Sequence, residues 1–192
     1  GGGNIWRGAE YESEVMDRTT ADNAGMLATI ISALALQESL ERSGLVVRTQ
    51  SSIPMPSVAE PYIRRRAIRH MEKGRIVIFA GGTGTPYMST DTAAALRALE
   101  IGAEALIMAK FKVDAVYTSD PNIDAGAKKI PNLTYLEALR RRIGALDSTA
   151  ISFCMDNSLP ILVFNLFVPG NLRRILGGQH MGTIISEGAR NT

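Results

Sequence analysis

Arg75-Ile-Val-Ile-Phe-Ala-Gly-Gly-Thr-Gly-Thr-Pro-Tyr-Met-Ser-Thr-Asp91 is the stretch that decides the fold. Its four consecutive apolar residues from Ile76 to Phe79, mostly β-branched or aromatic, predict a strand buried on both faces, as in a parallel sheet covered by helices. The glycines that follow lead directly into a helix from about Thr92 to Glu100, so the loop's amides would point at an anion. The hydroxyls of Thr83, Thr85, Ser89 and Thr90 can read the polar edges of a nucleobase or a sugar. No Gly-Lys-Ser/Thr follows, and Tyr87 stands where the third glycine of G-x-G-x-x-G would be, so neither common phosphate-binding fingerprint is present. An ordinary turn with Asp91 as helix cap is the alternative, but three glycines and four hydroxyls in eleven residues favour a ligand site.

Upstream of this stretch, Met26, Leu27, Ile30, Ile31, Leu34 and Leu40 form an apolar stripe on a helix from about Ala24 to Ser43, closed by Gly44. A strand follows from Leu45 to Thr49, and Pro61 opens a second helix that carries Ile63, Ala67 and Met71 on one face. Downstream, a strand is expected from Ala105 to Ala109. Thr134 and Glu137 make a capping box, Asp147 caps a helix running to Asn157, and a strand spans Ile161 to Phe164. One short helix and one strand complete the chain. This alternation predicts an α/β domain with a central, mainly parallel sheet, whose ligands sit beyond the carboxyl ends of the strands.

Composition fits that picture. The 192 residues are 45% hydrophobic and 21% charged, with mean hydropathy +0.03, which suits a globular core and excludes a disordered or collagen-like chain. The longest nearly apolar run, Ala24 to Leu36, falls short of the roughly 20 residues that cross a bilayer. Cys154 stands alone, which excludes an internal disulfide and, with only His70 and His180 beside it, offers no zinc spacing; a cytoplasmic protein is expected. A net charge of +2 is too small for a nucleic-acid binder. The 21 basic residues are nonetheless 16 Arg and 5 Lys, a balance that favours planar anion contacts. Two of the arginine clusters, Arg64 to Arg66 with Arg69 and Arg140 to Arg142, fall on helices and read first as solvated faces.

Other loops could carry chemistry. In Gly1-Gly-Gly-Asn-Ile-Trp-Arg-Gly8, side-chain-free residues would let backbone amides approach a phosphate, with Arg7 adding a charge-assisted bond; a plain linker is the other reading. In Lys110-Phe-Lys-Val-Asp-Ala-Val-Tyr-Thr-Ser-Asp-Pro121, Tyr117 could flank a base and Asp120 could take a ribose hydroxyl or an amine; a solvated hairpin is the other reading. Asp22 and Asp147, each just before an expected helix, read on spacing alone as N-caps. No histidine, cysteine or paired carboxylate stands out as an acid or base, which disfavours Ser/His and glycosidase hydrolysis. Phosphoryl transfer suits the inventory better, because it depends on positioning and charge neutralisation.

These segments together resemble the bacterial uridylate kinases of the amino acid kinase superfamily. The resemblance rests on Gly1 to Gly8, Ala21-Asp-Asn-Ala-Gly-Met-Leu-Ala28, Glu60-Pro-Tyr-Ile-Arg-Arg-Arg-Ala-Ile-Arg-His70, Gly82-Thr-Gly-Thr-Pro-Tyr-Met-Ser-Thr-Asp91, Val113-Asp-Ala-Val-Tyr-Thr-Ser-Asp-Pro121 and Asp147-Ser-Thr-Ala150, which occur in family order. It implies a three-layer amino acid kinase fold, with residues 1–192 forming a single domain. The family's first strand and Lys-x-Ser-Gly loop would precede Gly1. It also implies a transferase of pyrimidine nucleotide biosynthesis that moves the γ-phosphoryl of MgATP to UMP.

Carried over by position, Gly2, Asp22, Thr83, Gly84, Thr85, Pro86, Tyr87, Met88, Ser89 and Thr90 would hold UMP, with Asp22 on the ribose. Gly3, Phe111, Tyr117 and Asp120 match ATP-site positions, Arg7 the arginine that contacts transferring phosphates, and Asp147 an aspartate near the reacting groups. Phe111 stands where Asn or Thr is usual, and Thr85 where Asn is common. Mg²⁺ would arrive with the nucleotide, with no metal site on the chain. A homohexamer under allosteric control by GTP and UTP is implied, as is the absence of nucleic-acid and membrane partners. The alternative from another class is a nucleotide-responsive binding or storage protein on the same fold, which ADP release dependent on UMP would exclude.

Overall fold

A computed structural model describes residues 1–7, 16–110, 114–119, 123–141 and 146–188. The chain forms two compact units, Gly1–Ala93 and Ala94–Thr192. Each unit combines helices with a mainly parallel sheet, the α/β arrangement expected.

The first unit begins its regular structure with α1 (Arg18–Arg42). Asp17 caps it, its carboxylate accepting the Thr20 amide at 3.1 Å and the Thr20 hydroxyl at 2.5 Å. The helix therefore starts six residues earlier than the apolar pattern indicates, since Arg18 to Ala21 carry no large apolar residue to signal it. Strands β1 (Val47–Ser51), β2 (Glu60–Pro61) and β3 (Ile76–Ala80) pair in parallel in the order β2-β1-β3, with Gln50 opposite Glu60 and Phe79. Pro61 thus ends a strand instead of opening a helix, and α2 (Arg64–Glu72) follows with Ile63 at its N-cap position. Proline lacks the amide that a central strand would need, and β2 lies at the edge of this sheet, where proline is tolerated.

The face of α1 that packs on this sheet carries Ile30 and Ala33, against Ala80 with Ile53, Met55 and Ile78. The expected stripe is only partly inside: Met26 and Ile30 are buried, whereas Leu27, Ile31 and Leu34 are exposed. Those three lie four and three residues apart, so they form their own row beside the buried one. Strand β3 is likewise less buried than its composition predicts. Its burial rises from an exposed Ile76 to a buried Ala80, at the end that feeds the glycine loop.

Glu60 joins β2 to α2. Its Oε2 lies 3.1 Å from His70 Nε2 and 3.3 Å from Gln50 Nε2. Arg75 lies 3.1 Å from His70 Nδ1, and because a guanidinium can only donate, Nδ1 accepts and Nε2 carries the proton given to Glu60. Partial burial pushes the Glu60 carboxyl up, but the bonds from His70 and Gln50 outweigh it and hold the group below its ordinary value.

Helix α3 (Thr90–Ile101) leads from the first unit into the second. There β4 (Leu106–Lys110), β8 (Ile161–Asn165), β9 (Thr183–Ser186) and β7 (Asn132–Thr134) form a sheet in the order β4-β8-β9-β7. Strand β8 is antiparallel to β9, and the other two pairs are parallel. Its core holds Ile151, Cys154, Ile161, Val163 and Ile185, all essentially inaccessible, and each buried large aliphatic contributes about 1.5–3 kcal/mol. Helix α4 (Tyr135–Arg140) has the expected capping box of Thr134 and Glu137, and Asp147 caps α5 (Ser148–Asp156) as expected. The short helix α6 (Asn171–Leu176) precedes β9. A two-stranded antiparallel hairpin pairs β5 (Val116–Tyr117) with β6 (Lys129–Ile130).

Candidate functional site

In the first unit, two segments distant in sequence converge on α1. Residues 1–7 form a tight turn in which the Gly2 carbonyl accepts the amides of Ile5 and Trp6 at 2.9 and 3.0 Å. The turn is fastened along the helix: the Trp6 indole donates to the Ala21 carbonyl at 2.9 Å and the Ser32 hydroxyl to Asn4 Oδ1 at 3.2 Å. Gly2 is buried against the helix backbone, where a Cβ would lie 2.7 Å from the Thr29 nitrogen and 2.9 Å from Ala28. Gly3 is exposed and faces a softer neighbour, the Arg7 guanidinium, whose carbon would be 3.0 Å from a Cβ there. Removing both side chains thus brings backbone to backbone at Gly2 and cation to backbone at Gly3.

The loop from Gly81 to Ser89 hangs from the same helix. The Gly81 amide donates at 2.7 Å to the hydroxyl of Thr29, which itself donates to the Met26 carbonyl. Ser52, just past β1, donates its amide to the Ala80 carbonyl at 3.0 Å and its hydroxyl to the Gly82 carbonyl at 2.9 Å. Gly81 and Gly84 have φ of +78° and +80° and approach Ser52 closely, so a side chain at either would be strained and crowded. The Thr83 hydroxyl bridges locally to residue 85, while Thr85 itself is exposed. At the far end Ser89 Oγ accepts the Thr92 amide at 3.0 Å, so Ser89, not Asp91, supplies the side chain that caps α3.

Asp22 ties loop to helix. Asp17 has taken the cap, so Asp22 lies inside α1, and the N-cap reading of Asp22 is wrong. One carboxylate oxygen accepts the Tyr87 amide at 2.8 Å, and both oxygens accept from Arg18 Nε at 2.9 Å. Gly2, Gly3, Arg7, Asp22 and Thr83 to Thr90 therefore all belong to one unit gathered about α1. Backbone amides, hydroxyls, a carboxylate and the Arg7 guanidinium make an inventory for a sugar bearing a phosphate.

Thr29, Ser52 and Arg18 were not singled out by the sequence reading, yet Thr29 and Ser52 anchor the loop. Their only sequence signals were a hydroxyl in the middle of an apolar helix run and a pair of serines at the carboxyl end of a strand.

The second unit holds the remaining candidates that lie within the described residues. Tyr117, in β5, donates its hydroxyl to Asp114 Oδ1 at 2.8 Å, and Lys129 on β6 also donates to Asp114 while standing 6.0 Å from the Tyr117 ring centroid. Partial burial pushes the Asp114 carboxyl up, but the hydrogen bonds from Lys129 and Tyr117 prevail and hold it below its ordinary value. The same contacts raise Lys129, chiefly through its bond to Asp114. Burial and the bond to Asp114 raise the Tyr117 hydroxyl. Asp147 accepts the Thr149 amide at 3.4 Å as the cap of α5. Phe111 and Asp120, expected to face ATP, lie outside the described residues, as does Arg142. Among the described residues no three His, Cys, Asp or Glu side chains come together as a metal site, and no helix is long and apolar enough to cross a membrane.

Comparison with known proteins places the chain in a family. The amino acid kinase family model matches residues 1–165. The crystal structure of UMP kinase from Bacillus anthracis is 45% identical over 98% of this chain and 78% of its own, with a TM-score of 0.94. That of UMP kinase from Ureaplasma parvum is 37% identical over 97% of this chain and 79% of its own, with a TM-score of 0.90. With a family match over most of its length and this identity and coverage, the chain belongs to the amino acid kinase family, within the group of the UMP kinases.

Proposed function

We propose that the chain is a nucleoside monophosphate kinase that transfers the γ-phosphoryl of ATP to UMP, giving UDP and ADP. The observation that carries this reading is the junction at Asp22, where a carboxylate suited to sugar hydroxyls is hydrogen-bonded to a glycine-rich, hydroxyl-rich loop. Asp22 would accept from the ribose, the amides and hydroxyls of residues 83–90 would take the base and sugar edges, and Gly2 would let backbone approach the α-phosphate. Arg7 and Gly3 would face the phosphoryl group in transit. Tyr117, with Phe111 and Asp120, would hold the nucleoside end of ATP, and Asp147 would orient cationic groups near the reacting phosphates.

In the reaction an oxygen of the UMP phosphate bonds to the γ-phosphorus, and the bond from that phosphorus to the β,γ-bridging oxygen breaks. A phosphate dianion needs no base to make it nucleophilic, which agrees with a site lacking a histidine or a carboxylate pair. Mg²⁺ enters this reading on the triphosphate oxygens, where it neutralises charge. A homohexamer, effects of GTP and UTP, and a cytoplasmic location in pyrimidine nucleotide synthesis belong to the same proposal.

The test is ADP formation from MgATP with and without UMP, and with CMP as a competing acceptor. ADP release that requires UMP supports the proposal. ATP turnover indifferent to UMP, or a preference for CMP, overturns it. Arg7→Ala should lower turnover by about 100-fold, the loss of one transition-state donor worth roughly 3 kcal/mol, with little change in melting temperature. Unchanged turnover at saturating substrates would remove Arg7 from the chemistry.

A further inference from the structure

Arg18 has no part in the reading above, yet it touches both elements that the Asp22 junction unites. Its Nε donates to both oxygens of Asp22 at 2.9 Å, and its guanidinium carbon stands 5.5 Å from the centroid of the Tyr87 ring. Tyr87 in turn donates its amide to Asp22 and holds φ at +66°, a backbone state that residues with a Cβ seldom adopt. Guanidinium, carboxylate, amide and aromatic ring thus close a loop of contacts that begins and ends at Arg18. Helix energetics do not account for an arginine here. A cation in the first turn opposes the helix dipole, and arginine four residues before aspartate is the less favourable order for a helical pair.

We infer that Arg18 is a positioning residue. It fixes the Asp22 carboxylate and seats Tyr87, so that the acceptor nucleotide meets a preformed carboxylate and a closed loop. The inference rests on the reading of Asp22 and residues 83–90 as the acceptor site. An aspartate without its arginine would turn among rotamers, and the Tyr87 amide would lose a fixed partner at a strained residue.

The experiment compares Arg18→Met, which keeps an unbranched stem, and Arg18→Lys with the parent chain. Steady-state kinetics give KM for UMP, KM for ATP and kcat, and hydrogen exchange follows the Tyr87 amide. In Arg18→Met the KM for UMP should rise roughly tenfold, as for loss of one charge-assisted bond, with the KM for ATP unchanged and the Tyr87 amide exchanging faster. Arg18→Lys should restore part of both effects. An unchanged KM for UMP overturns the inference, as does a parallel rise in both KM values together with a fall in melting temperature. If the parent chain forms no UMP-dependent ADP, the proposed function fails, and exchange at Tyr87 then decides alone whether Arg18 holds the loop.

Discussion

Two adjacent glycines make opposite demands on their surroundings. At Gly2 a methyl group would meet the backbone of Ala28 and Thr29, which α1 holds rigid, so Gly2→Ala should cost about 1–3 kcal/mol by overpacking. At Gly3 the nearest atoms a methyl would meet are those of the Arg7 guanidinium, the far end of a flexible side chain, which needs to give by only a few tenths of an ångström. Gly3→Ala should therefore leave the melting temperature almost unchanged while lowering turnover, because it displaces the guanidinium proposed to face the phosphates. Thermal melts and kinetics on the two variants together check this contrast.

Asp22→Asn should weaken UMP more than its 2′-deoxy analogue, since the deoxy sugar has one hydroxyl fewer to lose. Equal losses for the two nucleotides would leave Asp22 only its role as the fastener of Tyr87. That fastening was not legible in the sequence. Asp17 and Asp22 are both aspartates in a polar stretch, and only the bonds from Asp17 to Thr20 decide which of them caps the helix.

At the scale of elements, the strand, glycine loop and helix around residues 75–101 were readable because left-handed turns favour residues without a Cβ and strands favour β-branched and aromatic runs, although β3 is less buried than its run implies. What holds the loop in place was not readable. Thr29 and Ser52 reach Gly81 and Gly82 across 52 and 30 positions of sequence, and no periodicity encodes such a pairing.

The β5–β6 hairpin depends on a similar long-range hydroxyl. Thr183, wholly buried in β9, accepts the Val116 amide at 2.7 Å and donates to the Ile130 carbonyl at 2.6 Å. Thr183→Val keeps the shape but removes both bonds, one from a buried amide and one to a part-buried carbonyl, and should destabilise the chain by roughly 1–3 kcal/mol in denaturant titration. The Asp114–Lys129 pair on the same hairpin is exposed enough to be worth less than about 1 kcal/mol. Its contribution should follow pH in a set direction. The depressed carboxyl stabilises the fold above its ordinary value of 3.8, and that stabilisation is lost as pH falls through the lower folded value. At the alkaline end the raised lysine contributes fully below its ordinary 10.5, and that contribution is lost as pH rises through the higher folded value. Melting temperatures of the parent and Asp114→Asn should accordingly differ at neutral pH and converge in strong acid.

Over the whole molecule, membership of the family was legible because its motifs keep their order along nearly the entire chain, and a 45% identical relative shares the fold. The arrangement of apolar residues was less so. Leu27 and Ile31 count as core by periodicity but lie outside, because a helix stripe wider than the sheet face it covers must leave one edge in water.

Cys154 offers a probe of the second unit as a body. Burial pushes its thiol up to about 11 and removes it from solvent, so a thiol reagent should label it only when that unit opens. The labelling rate should rise with denaturant in step with unfolding; rapid labelling in buffer would mean that this core opens without global unfolding.

The anchoring of the glycine-rich loop also bears on redesign. Its fixed points are Gly81, Gly82, Tyr87 and Ser89, whereas the exposed Thr85 side chain between them is hydrogen-bonded to no other element among the described residues. On the proposal that residues 83–90 hold the acceptor, a library confined to Thr85 and Pro86 would vary the surface offered to its base while leaving those four fastenings in place. Base preference would then be open to change at these two positions with the anchoring of the loop intact.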